Sequence, residues 1–209
     1  MRFLIVDDHP VVRRGVRELL HEEFPGAAFV EADDGETAIA KVEDDTFDCA
    51  LLDLSMPGRG GLDALKEIRS RRPRLPVLVH SHHAEQQYAI RAIRAGARGY
   101  VTKDTAPDEL VRAVREVVAG RRYMTAALAA QIASALSSDP DKEPHDALSD
   151  RELQVLRMMA LGKTVRDIAK ELGLSDKTIS TYRTRVLEKL ELRTTADLMR
   201  YAIKAKLVD

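Results

Sequence analysis

The sequence predicts an α/β fold, a doubly wound parallel sheet of five strands, followed by a small all-α unit of four helices. Three observations carry this. Between Phe3 and Val118, short apolar runs alternate five times with amphipathic helical patterns, and parallel strands need helical crossovers between them. The run Cys49-Ala50-Leu51-Leu52 is apolar throughout, as in a strand buried on both faces, and it ends at Asp53 before breaking at Ser55-Met56-Pro57-Gly58. From Leu148 onward the pattern turns wholly helical, punctuated by capping residues and glycines.

Taken in order, Phe3 to Val6 reads as the first strand, closed by Asp7-Asp8, and Val11 through Val16, Leu19 and Leu20 as the first helix. Ala27 to Val30 and Glu36 to Val42 repeat the unit, then the run up to Asp53 with Leu62 to Ile68. Val77 to Val79 with Tyr88 to Ile93, and Gly99 to Val101 with Leu110 to Val118, complete it. Beyond Gly120, Tyr123-Met124-Thr125 leads into an Ala-rich helix over Ala126 to Leu136, with Ile132 and Leu136 four apart. Ser137 to Asp146 has two Pro, several acids and no large apolar residue, the composition of a flexible linker. The expected domains are therefore 1–120, a linker over 121–147, and 148–209.

In the last of these, Ser149 and Glu152 form a capping box for a helix with Leu153, Leu156 and Met159-Ala160 inward, closed by Gly162. A second helix runs from Thr164 or Val165 to Leu172 and stops at Gly173; Ser175-Asp176 starts a third through Leu190; Ala196 to Lys204 makes the fourth. Two helices joined by a short turn with Gly, the second rich in Lys, Thr, Arg and Tyr, form a helix-turn-helix arrangement. Ile179, Val186 and Leu190 mark the buried stripe of the third helix, which leaves Lys177, Thr178, Thr181, Tyr182 and Arg185 outside for DNA.

Charge divides the chain the same way. Residues 148–209 carry 13 Lys and Arg against 9 Asp and Glu, a balance of +4, and residues 1–147 carry 20 against 25, a balance of −5. An acidic part suits metal and phosphoryl chemistry, and a basic one suits a polyanion. The longest apolar runs fall well short of the roughly 18 residues of a membrane span, and acid follows the first apolar run at once, so no membrane segment and a cytoplasmic location are expected. One cysteine, Cys49, excludes an internal disulfide.

The strand ends converge. The first strand ends at Asp7-Asp8, the third at Asp53, the fourth at Ser81 and the fifth at Thr102-Lys103. In the order 2-1-3-4-5 these ends open onto one crevice, where ligands of such sheets bind. Three carboxylates in one place repel unless a cation or protons offset them, and oxygen ligands with room for water suit Mg²⁺. Lys103 and Ser81 suit the oxygens of a phosphoryl group, so the constellation fits phosphorylation of the Asp53 carboxylate. In an extended segment His80 and His82 share one face while His83 points away, and no suitably spaced cysteine is present, so solvated or core imidazoles rather than a metal site are expected.

Residues 1–120 resemble the receiver domain of bacterial two-component response regulators, a flavodoxin-like fold. The likeness rests on Val6-Asp7-Asp8-His9-Pro10, Leu52-Asp53-Leu54-Ser55-Met56-Pro57-Gly58, Ser81, and Gly96-Ala97-Arg98-Gly99-Tyr100-Val101-Thr102-Lys103. The resemblance implies that Asp53 accepts phosphate from a sensor histidine kinase. It implies that Asp8, Asp53 and the Ser55 backbone carbonyl bind Mg²⁺, with Asp7 helping through water, and that Ser81 and Tyr100 form a switch pair, the hydroxyl moving to the phosphoryl and the ring turning inward. Residues 148–208 resemble the LuxR-type DNA-binding domain of NarL/FixJ-type regulators, on Leu148-Ser149-x-Arg151-Glu152, Ile168-Ala169-x-x-Leu172 and Ser175-x-Lys177-Thr178-Ile179. Ser180 departs from the Lys expected there, and Tyr182-Arg183-x-Arg185 is more loosely similar to the GacA/UvrY subgroup. This implies a regulator that is not a dedicated enzyme, whose partners are double-stranded DNA, a second copy on DNA through Leu198 and Tyr201 on an exposed face of the fourth helix, and RNA polymerase as a further candidate. A Mg²⁺-dependent phosphohydrolase would need an acid two residues after Asp53, where Ser55 stands, and a small-molecule-sensing LuxR-type activator would not need the acids.

Overall fold

In the computed structural model, the described residues are 1–56, 60–82, 86–126, 128–130, 144–205 and 207–208. The expectations for Pro57, Gly58, His83, Ile132, Leu136 and the stretch from Ser137 to Glu143 lie outside them. The chain divides into two compact units, Met1–Ser137 and Ser138–Asp209.

The first unit runs β1 (Arg2–Val6), α1 (Pro10–Glu23), β2 (Ala28–Ala32), α2 (Gly35–Asp44), β3 (Cys49–Leu52), α3 (Gly61–Arg71), β4 (Val77–Ser81), α4 (Gln86–Arg94), β5 (Gly99–Thr102) and α5 (Pro107–Val118). All strand pairs are parallel, and the order is β2-β1-β3-β4-β5. Because side chains alternate along a strand, each apolar run feeds two cores. Leu4, Val6, Ala50, Leu52, Val77 and Val79 pack with buried residues of α2, α3 and α4. Phe3, Ile5, Cys49, Leu51, Leu78 and Val101 pack with those of α1 and α5 on the other face. This double burial explains why the central strands show no polar alternation.

β2 runs further than the apolar pattern did, to Ala32, since Glu31 and Ala32 pair with Ile5 and Val6 while Arg13 and Arg17 meet the Glu31 carboxylate. The polar Glu31 hides this end of the strand from a hydrophobicity reading. β4 ends at Ser81, as the convergence of strand ends implied, with His80 opposite Val101 and Ser81 opposite Thr102. At the start of α3, a Cβ on Gly61 would lie 2.1 Å from the Asp53 carbonyl oxygen and 2.5 Å from the Leu54 Cα. Only glycine lets α3 begin this close to the end of β3, with the Gly61 N–H bonded to the Leu54 carbonyl at 3.3 Å.

The second unit contains α6 (Asp150–Ala160), α7 (Val165–Leu172), α8 (Asp176–Lys189) and α9 (Thr195–Lys204). The Ser149–Glu152 capping box is present, and Thr164–Asp167 and Thr194–Asp197 form two more. Gly173, at φ 64°, takes the left-handed conformation that ends α7. Buried Glu152 also receives the Lys189 ammonium at 2.6 Å, which ties the start of α6 to the end of α8.

Two expectations are corrected here. Leu198 is not on an exposed face: it is fully buried in the core with Leu153, Leu156 and Val186, because α9 turns that side inward. Tyr201 is half-buried, its hydroxyl 2.9 Å from the Nδ1 of His145; Ile203, 59% exposed, is the large apolar residue that α9 leaves outside. Residues near both ends of the 121–147 stretch are structured. Pro144–Ala147 form a 3-10 turn whose His145 is buried and donates its backbone N–H to the Tyr201 hydroxyl at 3.2 Å. Tyr123 is buried in the first unit and accepts the Tyr100 N–H at its carbonyl, 3.2 Å away.

Candidate functional site

The carboxyl edge of the sheet brings together what the strand ends carry. Lys103 follows β5, and its ammonium, on a side chain only 3% exposed, lies 2.6 Å from Asp7 Oδ2 and 2.7 Å from Asp53 Oδ2. Burial pulls this ammonium down, but the bond to Asp53, the Asp53 charge and Asp7 together outweigh it and hold Lys103 above its usual range. It therefore stays charged, as two buried carboxylates require.

The other oxygens of Asp7 and Asp53 take backbone donors. Asp53 Oδ1 accepts the Ser55 N–H at 3.0 Å, and Asp7 Oδ1 accepts the His9 N–H at 2.9 Å. Asp8 Oδ1 is buried and accepts no hydrogen bond, although the His9 Nδ1 comes within 2.8 Å of it. Ligand atoms of Asp7, Asp8, His9 and Asp53 all lie within 4.8 Å of one another. A buried carboxylate oxygen without a donor, among two other carboxylates, fits a hard cation. Arg13 closes the floor by donating to the Asp7 carbonyl at 2.6 Å. Neither His9 nor Arg13 stood out in the sequence, although His9 directly follows the acid pair.

Ser81 is fully buried at the end of β4, with its hydroxyl 3.5 Å from that of Ser55. The Tyr100 ring is also buried, and its hydroxyl hydrogen-bonds with Ser81. Burial and the Asp53 charge push the phenol above its usual range, so it stays neutral. The ring thus already points inward, where the resemblance implied that it turns on phosphorylation.

His80 and His82 separate in role. His82 is exposed, its ring edge-on to that of His9 at 6.2 Å between centroids. His80 is buried; burial first, then the Lys103 charge, lower its pKa to about 4. Folded, it is neutral over the range from about 6.5 to about 4, whereas the unfolded chain takes up a proton there. The unfolded state then binds more protons, so stability falls as pH drops through that window, by up to about 3 kcal/mol. His80→Leu should gain on the parent as pH falls from 7.5 to 5 in denaturant unfolding. A difference that is constant across that range contradicts the buried neutral imidazole.

In the second unit, α8 presents Lys177, Thr181 and Arg185 to solvent, while Thr178 and Tyr182 are half-buried. Tyr182 packs against the core beside Ile179 and Val186, so its ring also serves the fold. Thr178 belongs to the start of the helix, its N–H capped by Ser175 at 3.1 Å. The Ser180, Thr181 and Thr184 hydroxyls donate to carbonyls one turn back, at 2.8, 2.9 and 3.0 Å. Arg183 points to α9 instead, donating from Nε to Thr195 at 2.8 Å. The cations left outward on α8 ahead of its last turn are Lys177 and Arg185, with Lys189 paired to Glu152 at its end.

Residues 3–115 match the family model of the response regulator receiver domain, and residues 146–202 that of the bacterial regulatory proteins of the luxR family. The chain is 37% identical over 203 residues to the response regulator UvrY of Escherichia coli (strain K12), covering 96% of this chain and 93% of that one. It is 36% identical over 211 residues to the response regulator GacA of Pseudomonas aeruginosa, covering 100% and 98%. Among solved structures, a LuxR-family two-component response regulator from Aurantimonas sp. SI85-9A1 is 40% identical with a TM-score of 0.59, over 66% of this chain and 98% of that one. RcsB from Salmonella enterica serovar Typhimurium, bound to a promoter in the presence of the phosphomimetic BeF3−, is 28% identical with a TM-score of 0.60, over 96% and 97%.

Proposed function

The chain belongs to the LuxR-type two-component response regulators, and from that premise we propose that phosphorylation of Asp53 by a sensor histidine kinase controls its binding to DNA. The observation that carries the reading is the Lys103 ammonium bridging Asp7 and Asp53 at 2.6 and 2.7 Å in a crevice with Asp8. A carboxylate oxygen of Asp53 attacks the phosphorus of the kinase phosphohistidine; the P–N bond breaks, its electron pair stays on the imidazole, and an acyl phosphate forms. Asp8, Asp53 and the Ser55 carbonyl, with Asp7 helping through water, would hold Mg²⁺, which would supply positive charge for the phosphoryl oxygens. Lys103 exchanges one Asp53 contact for a phosphoryl oxygen. Ser81 leaves the Tyr100 and Ser55 hydroxyls to donate to another, which frees Tyr100 to repack.

The domains in this reading are a receiver over 1–120, a linker over 121–147 and a DNA-binding domain over 148–209. Lys177, Thr178, Thr181, Tyr182 and Arg185 form the DNA-facing set, with Thr178 and Tyr182 also holding the helix in place. A unit of about 60 residues contacts one half-site, so the protein works as a homodimer on two half-sites about one helical turn apart, with Tyr201 on the helix that faces the second copy. RNA polymerase is a further partner. The protein gains and slowly loses a phosphoryl group without being a dedicated enzyme. Among the described residues no helix is long and apolar enough to cross a membrane, and the reading is a cytoplasmic protein.

Labelling tests the chemistry. With Mg²⁺ and a small phosphodonor, the protein should gain one acid-stable, base-labile phosphoryl group, and none once the divalent ion is chelated. Uptake that persists in chelator contradicts the proposed site.

A further inference from the structure

We infer that residues 123–128 form a strap that docks on the edge of β5 only while the Tyr100 ring lies inward, so that phosphorylation of Asp53 fastens it and shortens the tether to the DNA-binding domain. The inference rests on the reading of Asp53 as phospho-acceptor and of Ser81 and Tyr100 as its switch. The strand order leaves β5 at one edge of the sheet. There Tyr123 lies opposite Gly99 in a parallel bridge. Its N–H donates to the Arg98 carbonyl at 3.0 Å, and its carbonyl accepts the Tyr100 N–H at 3.2 Å. A Cβ on Gly99 would stand 2.8 Å from the Tyr123 carbonyl oxygen and 2.9 Å from Leu78 Cδ1, so only glycine lets the chain return this close. The stretch expected as linker thus begins by extending the sheet.

Its side chains grip both faces, as alternation along a strand requires. Tyr123 enters the core under α1 and α5, where its hydroxyl donates to Glu109 at 2.6 Å and accepts from Arg112 at 3.0 Å. Met124 and Leu128 enter the other core, the one that holds Tyr88 and Tyr100. Thr125 turns the chain between them, accepting the Leu128 N–H at Oγ1 and the Ala129 N–H at its carbonyl, at 3.3 and 2.9 Å. The strap is therefore tied to Tyr100 twice, by a main-chain bond and through a shared core. On this edge strand, a ring that turned outward would enter the place of Met124 and Leu128. When Ser81 moves to the phosphoryl group it leaves room behind it, and the ring that it now bonds moves further in, away from that edge. Whatever stabilises the inward ring then stabilises the docked strap by the same factor. Fastening removes up to about 26 Å of slack over residues 123–130, and a shorter tether raises the effective concentration of the second DNA-binding domain at its half-site.

Hydrogen exchange of the full-length protein with Mg²⁺, before and after treatment with a small phosphodonor, tests this. On phosphorylation the amides of Tyr123 and Ala129 should exchange about tenfold more slowly, the factor that one net hydrogen bond carries. Tyr100→Ala, with no ring to block the edge, should take the label without any change in strap exchange. Leu128→Ala, outside the phosphorylation site, should take the label while its strap, short of an anchor, exchanges faster than the parent's both before and after. A fully labelled parent whose strap exchange is unchanged or faster, slowing that persists in labelled Tyr100→Ala, or a Leu128→Ala strap as protected as the parent's overturns the inference and leaves phosphorylation of Asp53 standing. A parent that takes no label overturns that reading and this inference with it.

Discussion

Replacing Lys103 with Met should lower the stability of the first unit by about 3 to 5 kcal/mol in the absence of divalent ions, the cost of removing one partner from a buried charged set. The ammonium serves two carboxylates at once, Asp7 and Asp53, on side chains that are 4% and 0% exposed. Without it, two buried carboxylates lose the charge that offsets their mutual repulsion. The loss should shrink on addition of Mg²⁺, which stabilises the folded form by mass action. The measurement is the denaturant midpoint of whichever transition Mg²⁺ shifts, for parent and variant, with and without the ion. A variant as stable as the parent without Mg²⁺ would mean that Lys103 does not hold the two acids.

On DNA, the largest effects are expected from Lys177 and Arg185, the outward cations of α8 ahead of its last turn. If either contacts phosphate, its replacement by Ala should weaken binding to all sequences alike and lower the salt slope by about one. If it contacts a base edge, the cost is about 1 to 3 kcal/mol and is confined to one position of the operator. Arg183→Ala separates the two kinds of role, because its guanidinium meets Thr195 and its loss should act through the packing of α8 on α9. Binding isotherms at several salt concentrations distinguish these cases. Parent-like binding by both the Lys177 and Arg185 variants would mean that α8 does not face DNA.

The sheet order and the crevice were legible because a doubly wound topology sends every apolar run to one common edge, and polar residues at those ends declare themselves against the apolar background. Asp7, Asp8, Asp53, Ser81 and Lys103 were read that way. His9 was not, since an imidazole beside two acids has no periodic signature, and its approach to Asp8 depends on how α1 begins. Leu198 was misread for a related reason: a single leucine on a helix of mixed composition fits either face, and the contact with Val186 and Leu153 that decides it comes from a distant helix. His145 was hidden by its neighbours, because Pro144 and Asp146 signal linker while the imidazole finds the Tyr201 hydroxyl 56 residues away.

The central claim joins the two units: a phosphoryl group on Asp53 changes how tightly the other unit holds DNA. The direct measurement is a binding isotherm of the full-length protein on one operator, with Mg²⁺, before and after treatment with a small phosphodonor, for the parent and for Asp53→Asn. The parent should bind more tightly after treatment and Asp53→Asn should bind identically before and after. Tightening that survives in Asp53→Asn, or a fully labelled parent whose isotherm does not move, would contradict the account.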